Sequence, residues 1–219
     1  MRTTVILTSI IVLILVVDRM SYHLIEILDS QVVTGQSVGK VNRFFDEKDD
    51  LDLIVFGSSR ANHHVVTSLI TPRSYNIGID GTGPKTASIL IDRLAPGSQL
   101  ILFHIDYAEI FNRHYVGDDA FRLINKAIEF PEIDRELTEI DPARMRVAHA
   151  LNLSVYRNKL LGIIFNSWFP KDDKELLGYE PLMSTGGDRL VLEPSVGAKV
   201  VDKPAHVPEL NLLVNQEID

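Results

Sequence analysis

The sequence predicts an open parallel α/β sheet with flanking helices, preceded by a helix that spans a membrane. Two observations support this prediction. Short apolar segments alternate with a helical pattern between residues 51 and 105, and an uncharged run of fifteen residues, 3–17, lies near the start of the chain. The 219 residues suffice for one globular domain but not comfortably for two. We therefore expect a single folded domain behind an N-terminal anchor.

The uncharged run, TTVILTSIIVLILVV, has the composition of a membrane anchor. At a rise of about 1.5 Å per residue it covers about 22 Å of a hydrocarbon core about 30 Å thick, and the helical pattern continues beyond it. No small-residue cleavage site follows, which favours an uncleaved signal anchor over residues 1–20. Arg2 precedes the run whereas Asp18 and Arg19 cancel after it, so the positive-inside rule predicts a domain outside the cytoplasm. A buried core helix is the alternative, although core helices usually have a polar face.

Three apolar segments have the length and composition of buried strands. Gly, Pro or Asp bounds each of them, and a helix that begins near Pro84 separates the second from the third. The segments are 51–56 (LDLIVF), 74–79 (SYNIGI) and 99–105 (QLILFHI). Strands that alternate with helices pair in parallel through right-handed crossovers, which defines the class of the sheet.

The rest of the chain is predicted to be mainly helix and loop. Residues 21–50 form a juxtamembrane helix and linker, and 141–169 form one long or broken helix with Asp141 as its N-cap. The proline-rich residues 170–205 are predicted to be a loop, and 206–219 begin another helix. Because an open α/β sheet normally has about five or six strands, we expect 51–219 to be a partial, C-terminally incomplete domain.

Composition excludes several classes of function. The net charge is −8 and Lys and Arg form no cluster along the sequence, so we expect no nucleic-acid partner. The chain has no cysteine, which excludes disulfides, thiol catalysis and cysteine-ligated metal. The side chains of His63 and His64 diverge on a helix, and no pair of histidines has ligand spacing with a carboxylate. We therefore expect no catalytic metal and no cofactor.

The first predicted strand ends on two serines, Ser58 and Ser59, which follow Gly57. In open α/β sheets, ligands bind at the carboxyl ends of the strands, where the helix that follows offers unpaired N–H groups. A serine at this position can attack a carbonyl carbon, because the oxyanion forms among those donors. Two other interpretations remain open. The serines only cap the helix, or the helix N-terminus cradles a phosphate, although the chain has no P-loop motif.

A glycine-rich turn, YNIGIDGTG, follows the second predicted strand. Together with FGSSRA-x-H, this turn resembles the SGNH/GDSL family of serine esterases and acyltransferases, and more narrowly the membrane-anchored SGNH-like proteins of bacterial cell envelopes. The resemblance covers residues 51–110 and implies a flavodoxin-like sheet. It implies Ser59 as the nucleophile and the N–H groups of Ser59 and Gly81 as an oxyanion hole.

The resemblance also implies a pocket and a location. Arg60, Asn62, His63 and Asp106 are expected to line the pocket. The substrate would be an acylated envelope glycan or another ester. The single-pass protein would lie in the inner membrane, with the lipid bilayer as its partner and its domain on the extracytoplasmic side.

Two elements of the family pattern do not match. The family has an asparagine after the third strand, whereas the corresponding segment here, FHIDYAEIF, has His104 and Asp106 and no asparagine. The Asp-x-x-His pair that supplies the general base is not present, and the nearest segment, DKPAH at Asp202 and His206, has one residue too many. A serine without a base is a weak nucleophile. The alternatives are a non-catalytic envelope binding or assembly module with a degenerate fold, or a truncated product that folds poorly.

Overall fold

The sheet has three parallel strands in the order β2-β1-β3. The computed structural model describes residues 2–97, 99–106, 111–171 and 176–182. The strands are β1 (Leu53–Phe56), β2 (Ser74–Asn76) and β3 (Leu100–Phe103). Leu53 of β1 pairs with Ser74 on one side and with Leu100 on the other. This confirms the predicted parallel α/β sheet, although each strand is shorter than its apolar segment.

Helices surround the sheet. In the described part of the chain the α-helices are α1 (Arg2–Gln31), α2 (Val38–Glu47), α3 (Ser59–His64), α4 (Pro84–Ile91), α5 (Pro131–Ile140), α6 (Pro142–Ala150) and α7 (Leu160–Trp168). The 3-10 helices described are Lys48–Asp50, Thr67–Leu69, Asp118–Lys126 and Asn152–Tyr156. The segment predicted as one long or broken helix is therefore broken. Asp141 caps its first part, because its carboxylate accepts hydrogen bonds from the N–H groups of Ala143 and Arg144.

α1 is one continuous helix of 30 residues, so no break separates residues 1–20 from the segment predicted to follow them. It is long and apolar enough to cross a membrane. The residues from Arg2 to Val17 are exposed, whereas Asp18, Tyr22 and Asp29 are buried against the domain. The apolar run is thus not a core helix of this domain. The second half of α1, predicted as juxtamembrane, is part of the core.

The main core lies on the face of the sheet that carries Ile54 and Phe56. Alternate residues of a strand point to opposite faces, and Leu53 and Val55 accordingly pack on the other side in a smaller cluster with Ala61. α2 contributes Phe44, whose ring is in edge contact with that of Phe56 at a centroid distance of 5.9 Å. The predicted linker therefore contains a helix that packs directly on the sheet.

The two edges of the sheet differ. At β2, the N–H group of Asn76 donates to the carbonyl of Leu177 at 2.8 Å, so residues 176–180 cover this edge. At β3, Leu100 is 62% exposed and Leu102 is 44% exposed. The predicted loop over 170–205 is described only at 170–171 and 176–182. The predicted helix over 206–219, with Asp202 and His206 near it, lies outside the described residues.

Candidate functional site

The serine turn follows β1, the central strand. Ser59 is the first residue of α3 and is exposed. Ser58 occupies the N-cap position, but its side chain makes no capping hydrogen bond. Gly57 has φ of 149°, and a Cβ atom at this residue would lie 2.8 Å from Cβ of Ala61 and 3.0 Å from Cβ of His104. The turn therefore requires glycine, and a capping role does not account for Ser58.

The glycine turn that follows β2 lies against the serine turn. The N–H group of Ile79 donates to the carbonyl of Gly57 at 3.1 Å, and the Thr82 hydroxyl lies 3.3 Å from the same oxygen. Gly81 has φ of 69°, a left-handed conformation that favours glycine. These contacts bring together the two turns that the sequence analysis paired.

Asn62 does not line an opening, contrary to expectation. The side chain is fully buried, and its Nδ2 atom donates to Asp80 Oδ1 at 3.0 Å. Its Oδ1 atom accepts from the ammonium of Lys40, which also donates to the carbonyl of Gly78 at 2.6 Å. Lys40 and Asn62 thus hold α2, α3 and the turn after β2 together from the inside. Lys40 was not among the residues predicted for the site.

His63 is fixed by acceptors at both ring nitrogens. Its Nδ1 atom lies 2.6 Å from the carbonyl oxygen of Glu180, and its Nε2 atom lies 3.1 Å from Asp80 Oδ2. Partial burial alone would lower the pKa of His63, but the hydrogen bonds to Glu180 and Asp80 outweigh it and raise the pKa above its ordinary value of 6.5. Both ring nitrogens of His63 are therefore engaged, and its imidazole is not free to act as a base for Ser59.

The raised pKa of His63 predicts a pH-dependent contribution to folding stability. The protonated folded form is favoured, so the contribution is fully present below about pH 6.5 and is lost as the pH rises through the raised pKa. We expect His63→Gln to lower the free energy of unfolding by about 1 kcal/mol in acid and by less above neutrality. Denaturant unfolding of the full chain at several pH values measures this. His64→Gln, an exposed neighbour on α3, is the control, and an equal pH profile for both variants would contradict the prediction.

The other two residues expected at the pocket, Arg60 and Asp106, contact each other. Arg60 Nη1 forms an ion pair with Asp106 Oδ2 at 3.1 Å, which connects α3 to the segment after β3. His104 lies beside Gly57, and its Nδ1 atom is buried without a hydrogen-bond partner among the described residues. In the sequence, His104 stands out only as a departure from the family pattern. Because His104 directly follows the third strand, its position in the sequence could have indicated that it lies at the same edge of the sheet as the serine turn.

Gly81 also lines a cavity of about 1140 Å3 that the sequence analysis did not predict. Ser37, Arg122 and Lys159 line the same cavity. The signal for Ser37 was the pair of glycines around it in Gly35–Gly39, which is typical of a tight turn. No pattern in the sequence around Arg122 or Lys159 indicates that these residues line a cavity. Among the residues that the structure describes, no group of three or more histidines and carboxylates has the arrangement of a metal site.

The fold and the two turns define a class: a parallel α/β domain with a serine at the carboxyl end of its central strand and a helix that is able to span a membrane. Comparison of the chain with protein-family models, with curated proteins and with solved structures finds no match. Any assignment of function therefore rests on the residues described above.

Proposed function

We propose that the protein is a serine esterase or O-acyltransferase of the SGNH-like type, with Ser59 as the nucleophile. The contact between the serine turn and the glycine turn, through the carbonyl of Gly57, is the observation that supports this proposal best. Ser59 Oγ attacks the acyl carbonyl carbon, and the N–H groups of Ser59 and Gly81 hold the oxyanion. Water, or the hydroxyl of an acceptor, then releases the acyl group.

This chemistry needs a base to take the proton of Ser59, and His104 is our candidate. The N–H group of His104 donates to the carbonyl of Phe56 at 2.9 Å, which fixes its backbone next to the end of β1. Its Nδ1 atom has no partner in the described part of the chain, whereas both nitrogens of His63 are engaged. In our proposal the His104 imidazole accepts the Ser59 proton and returns it to the leaving alcohol.

The anchor suggests where the substrate is found. We propose that α1 crosses the inner membrane of a bacterial cell and leaves the domain on the extracytoplasmic side, where acylated envelope glycans or other esters are the substrates. The protein should then resist extraction by alkaline carbonate, and protease added to spheroplasts should digest the domain. A domain protected from protease in intact spheroplasts would contradict this orientation.

Hydrolysis of p-nitrophenyl acetate by the full chain in a neutral detergent tests the proposed nucleophile. We expect Ser59→Ala to lower the rate about a thousandfold, to background, because the residual oxyanion donors cannot replace the nucleophile. Ser58→Ala is the matched control, since it removes a hydroxyl one residue away, and it should retain most of the rate. Equal rates for the Ser59→Ala variant and the unmodified protein would contradict the proposal.

A second candidate function is a non-catalytic envelope binding or assembly module. The charged groups around the serine turn favour it, because Arg60 is paired with Asp106 and His63 with Asp80. Side chains that are engaged in ion pairs stabilise a surface more readily than they act as acids or bases in catalysis. A folded full chain that shows no hydrolysis of any ester tested would favour this candidate over the enzyme.

A further inference from the structure

Apart from Gly81 itself, the cavity next to Gly81 is built from elements that the proposed esterase chemistry does not use. One wall is the 3-10 helix Asp118–Lys126. The other walls are α6, α7, the segment that joins α6 to α7, and the N-terminus of α2. Its volume of about 1140 Å3 is ample for a small organic ligand, since such pockets usually measure about 300–1,000 Å3. A cavity of this size has room for a ligand of its own.

Cationic side chains converge on this cavity. They are Arg122, Arg144, Arg157 and Lys159. None of them forms an ion pair with a carboxylate within the described ranges of the chain. Such a group of cations is unexpected in a chain with a net charge of −8. It indicates a ligand with negative charge.

Carboxylates also line the cavity, but two of the three are already engaged by the protein. Asp119 Oδ2 accepts from the N–H groups of Gly83 and Thr86, at 2.8 and 2.9 Å. Asp141 caps α6. The third, Asp118, has no hydrogen bond or ion pair at its carboxylate within the part of the chain that the structure describes, so it is able to accept a hydrogen bond from a ligand hydroxyl. The carboxylates therefore do not neutralise the arginines by direct contact.

Ser37 adds a hydroxyl that has no partner in the described part of the chain. Ser37 and Gln36 both line the cavity, and the Oγ atom of Ser37 and the Oε1 atom of Gln36 are buried without a hydrogen-bond partner among the described residues. Ser37 has φ of 59° and directly precedes α2, a helix of ten residues. Burying a polar atom without a partner costs about 1–3 kcal/mol, so both atoms point to a ligand that completes their hydrogen bonds.

Two of the cations, Arg144 and Lys159, are held by contacts with other residues near the cavity. The guanidinium of Arg144 is stacked over the ring of Phe121 at 3.9 Å. Lys159 donates to the carbonyl of Arg122 and to Asn125. Burial lowers the pKa of Lys159 to about 7. The negative charge of Asp29 opposes this shift, whereas the positive charges of Arg122 and Lys126 add to it. An anionic ligand next to Lys159 would offset the repulsion between Lys159 and Arg122.

We propose that this cavity binds a phosphate ester that carries free hydroxyl groups, with its phosphate held by Arg122, Arg157, Lys159 and the hydroxyl of Ser37. A phosphate presents three oxygens in different directions, which suits donors from three separate elements, whereas a carboxylate presents two oxygens in one plane. Oε1 of Gln36 and the carboxylate of Asp118 are the acceptors for the ligand hydroxyls. The inference goes beyond the proposed esterase and does not depend on it.

Titration calorimetry of the full chain in a neutral detergent, with glycerol 3-phosphate as the probe, tests this proposal. We expect Arg122→Gln and Arg157→Gln each to weaken binding about tenfold. Arg135→Gln, an exposed arginine of α5 outside the cavity, makes the same change in charge and should leave the affinity within about twofold. Absence of binding at millimolar probe, or an equal loss in Arg135→Gln, would overturn the proposal.

Three further titrations define the chemistry and the source of the ligand. Glycerol should not bind, and glycerate, its carboxylate counterpart, should bind at least about tenfold more weakly than glycerol 3-phosphate. Equal affinity for glycerate would overturn the assignment to phosphate. Micelles doped with lysophosphatidic acid, a lipid with a phosphate monoester and a free hydroxyl group, compete with the soluble probe if the headgroup of a lipid is the source, and fail to compete if the source is a free phosphate ester. Ser37→Ala should weaken binding less than the arginine variants, and the arginine variants decide the outcome if Ser37→Ala does not fold.

Discussion

Replacing Phe44 with alanine is expected to lower the free energy of unfolding by about 3–5 kcal/mol. The side chain is fully buried, and its ring contacts those of Phe45 and Phe56 at centroid distances of 5.5 and 5.9 Å. Truncation removes apolar burial, leaves a cavity between α2 and the sheet, and loses two edge-on aromatic contacts. Urea unfolding of the full chain in detergent, followed by the fluorescence of Trp168 and by circular dichroism, measures the change.

The control for Phe44 is a large apolar residue on the surface. Leu69 is 83% exposed, so Leu69→Ala should change the stability by no more than about 0.5 kcal/mol. A loss below about 1 kcal/mol for Phe44→Ala would show that α2 is not part of the core. A cooperative transition in the unmodified protein would also argue against the alternative of a truncated product that folds poorly.

Replacing Asp29 with alanine is expected to destabilise the domain by about 3 kcal/mol. Asp29 is buried at the end of α1, and its Oδ2 atom accepts from the Asn125 amide at 3.1 Å and from the Tyr156 hydroxyl at 3.2 Å. Removing the carboxylate leaves both donors buried without a partner, and it withdraws the negative charge that favours protonated Lys159. Chemical unfolding at neutral pH gives the change.

Two variants sharpen the test at Asp29. Asp29→Asn keeps one acceptor oxygen without the charge and should cost less than Asp29→Ala. Asp46→Ala removes an exposed carboxylate from α2 and should be nearly neutral, within about 0.5 kcal/mol. Equal stability of Asp29→Ala and Asp46→Ala would mean that the second half of α1 does not belong to the domain core.

The strands and the two turns could be predicted because their signals are local. LDLIVF and QLILFHI are short apolar segments bounded by turn residues, and parallel strands bring their carboxyl ends to one edge of a sheet. The contact between the serine turn and the glycine turn follows from that geometry. The helix α2 had a usable signal that the charges around it obscured, namely the spacing of Val38, Val41 and Phe44.

The polar interior could not be predicted, because its partners are far apart along the chain. The hydrogen bond between Asn125 and Asp29 joins residues 96 positions apart, and that between His63 and Glu180 joins residues 117 positions apart. Asn62 was expected at the pocket because it follows the serine turn, yet Lys40 and Asp80 hold it inside the domain. No periodic pattern encodes such pairs.

Covalent labelling by a fluorophosphonate, located by mass spectrometry of the digested full chain, tests the claim on which the proposed enzyme rests. The claim is that Ser59 Oγ, at the carboxyl end of β1, is an activated nucleophile, because only such a hydroxyl displaces fluoride at a useful rate. We predict one adduct on the peptide that contains Ser59, retained in Ser58→Ala and lost in Ser59→Ala. A folded protein that acquires no adduct, or one whose labelling survives Ser59→Ala, would contradict the claim.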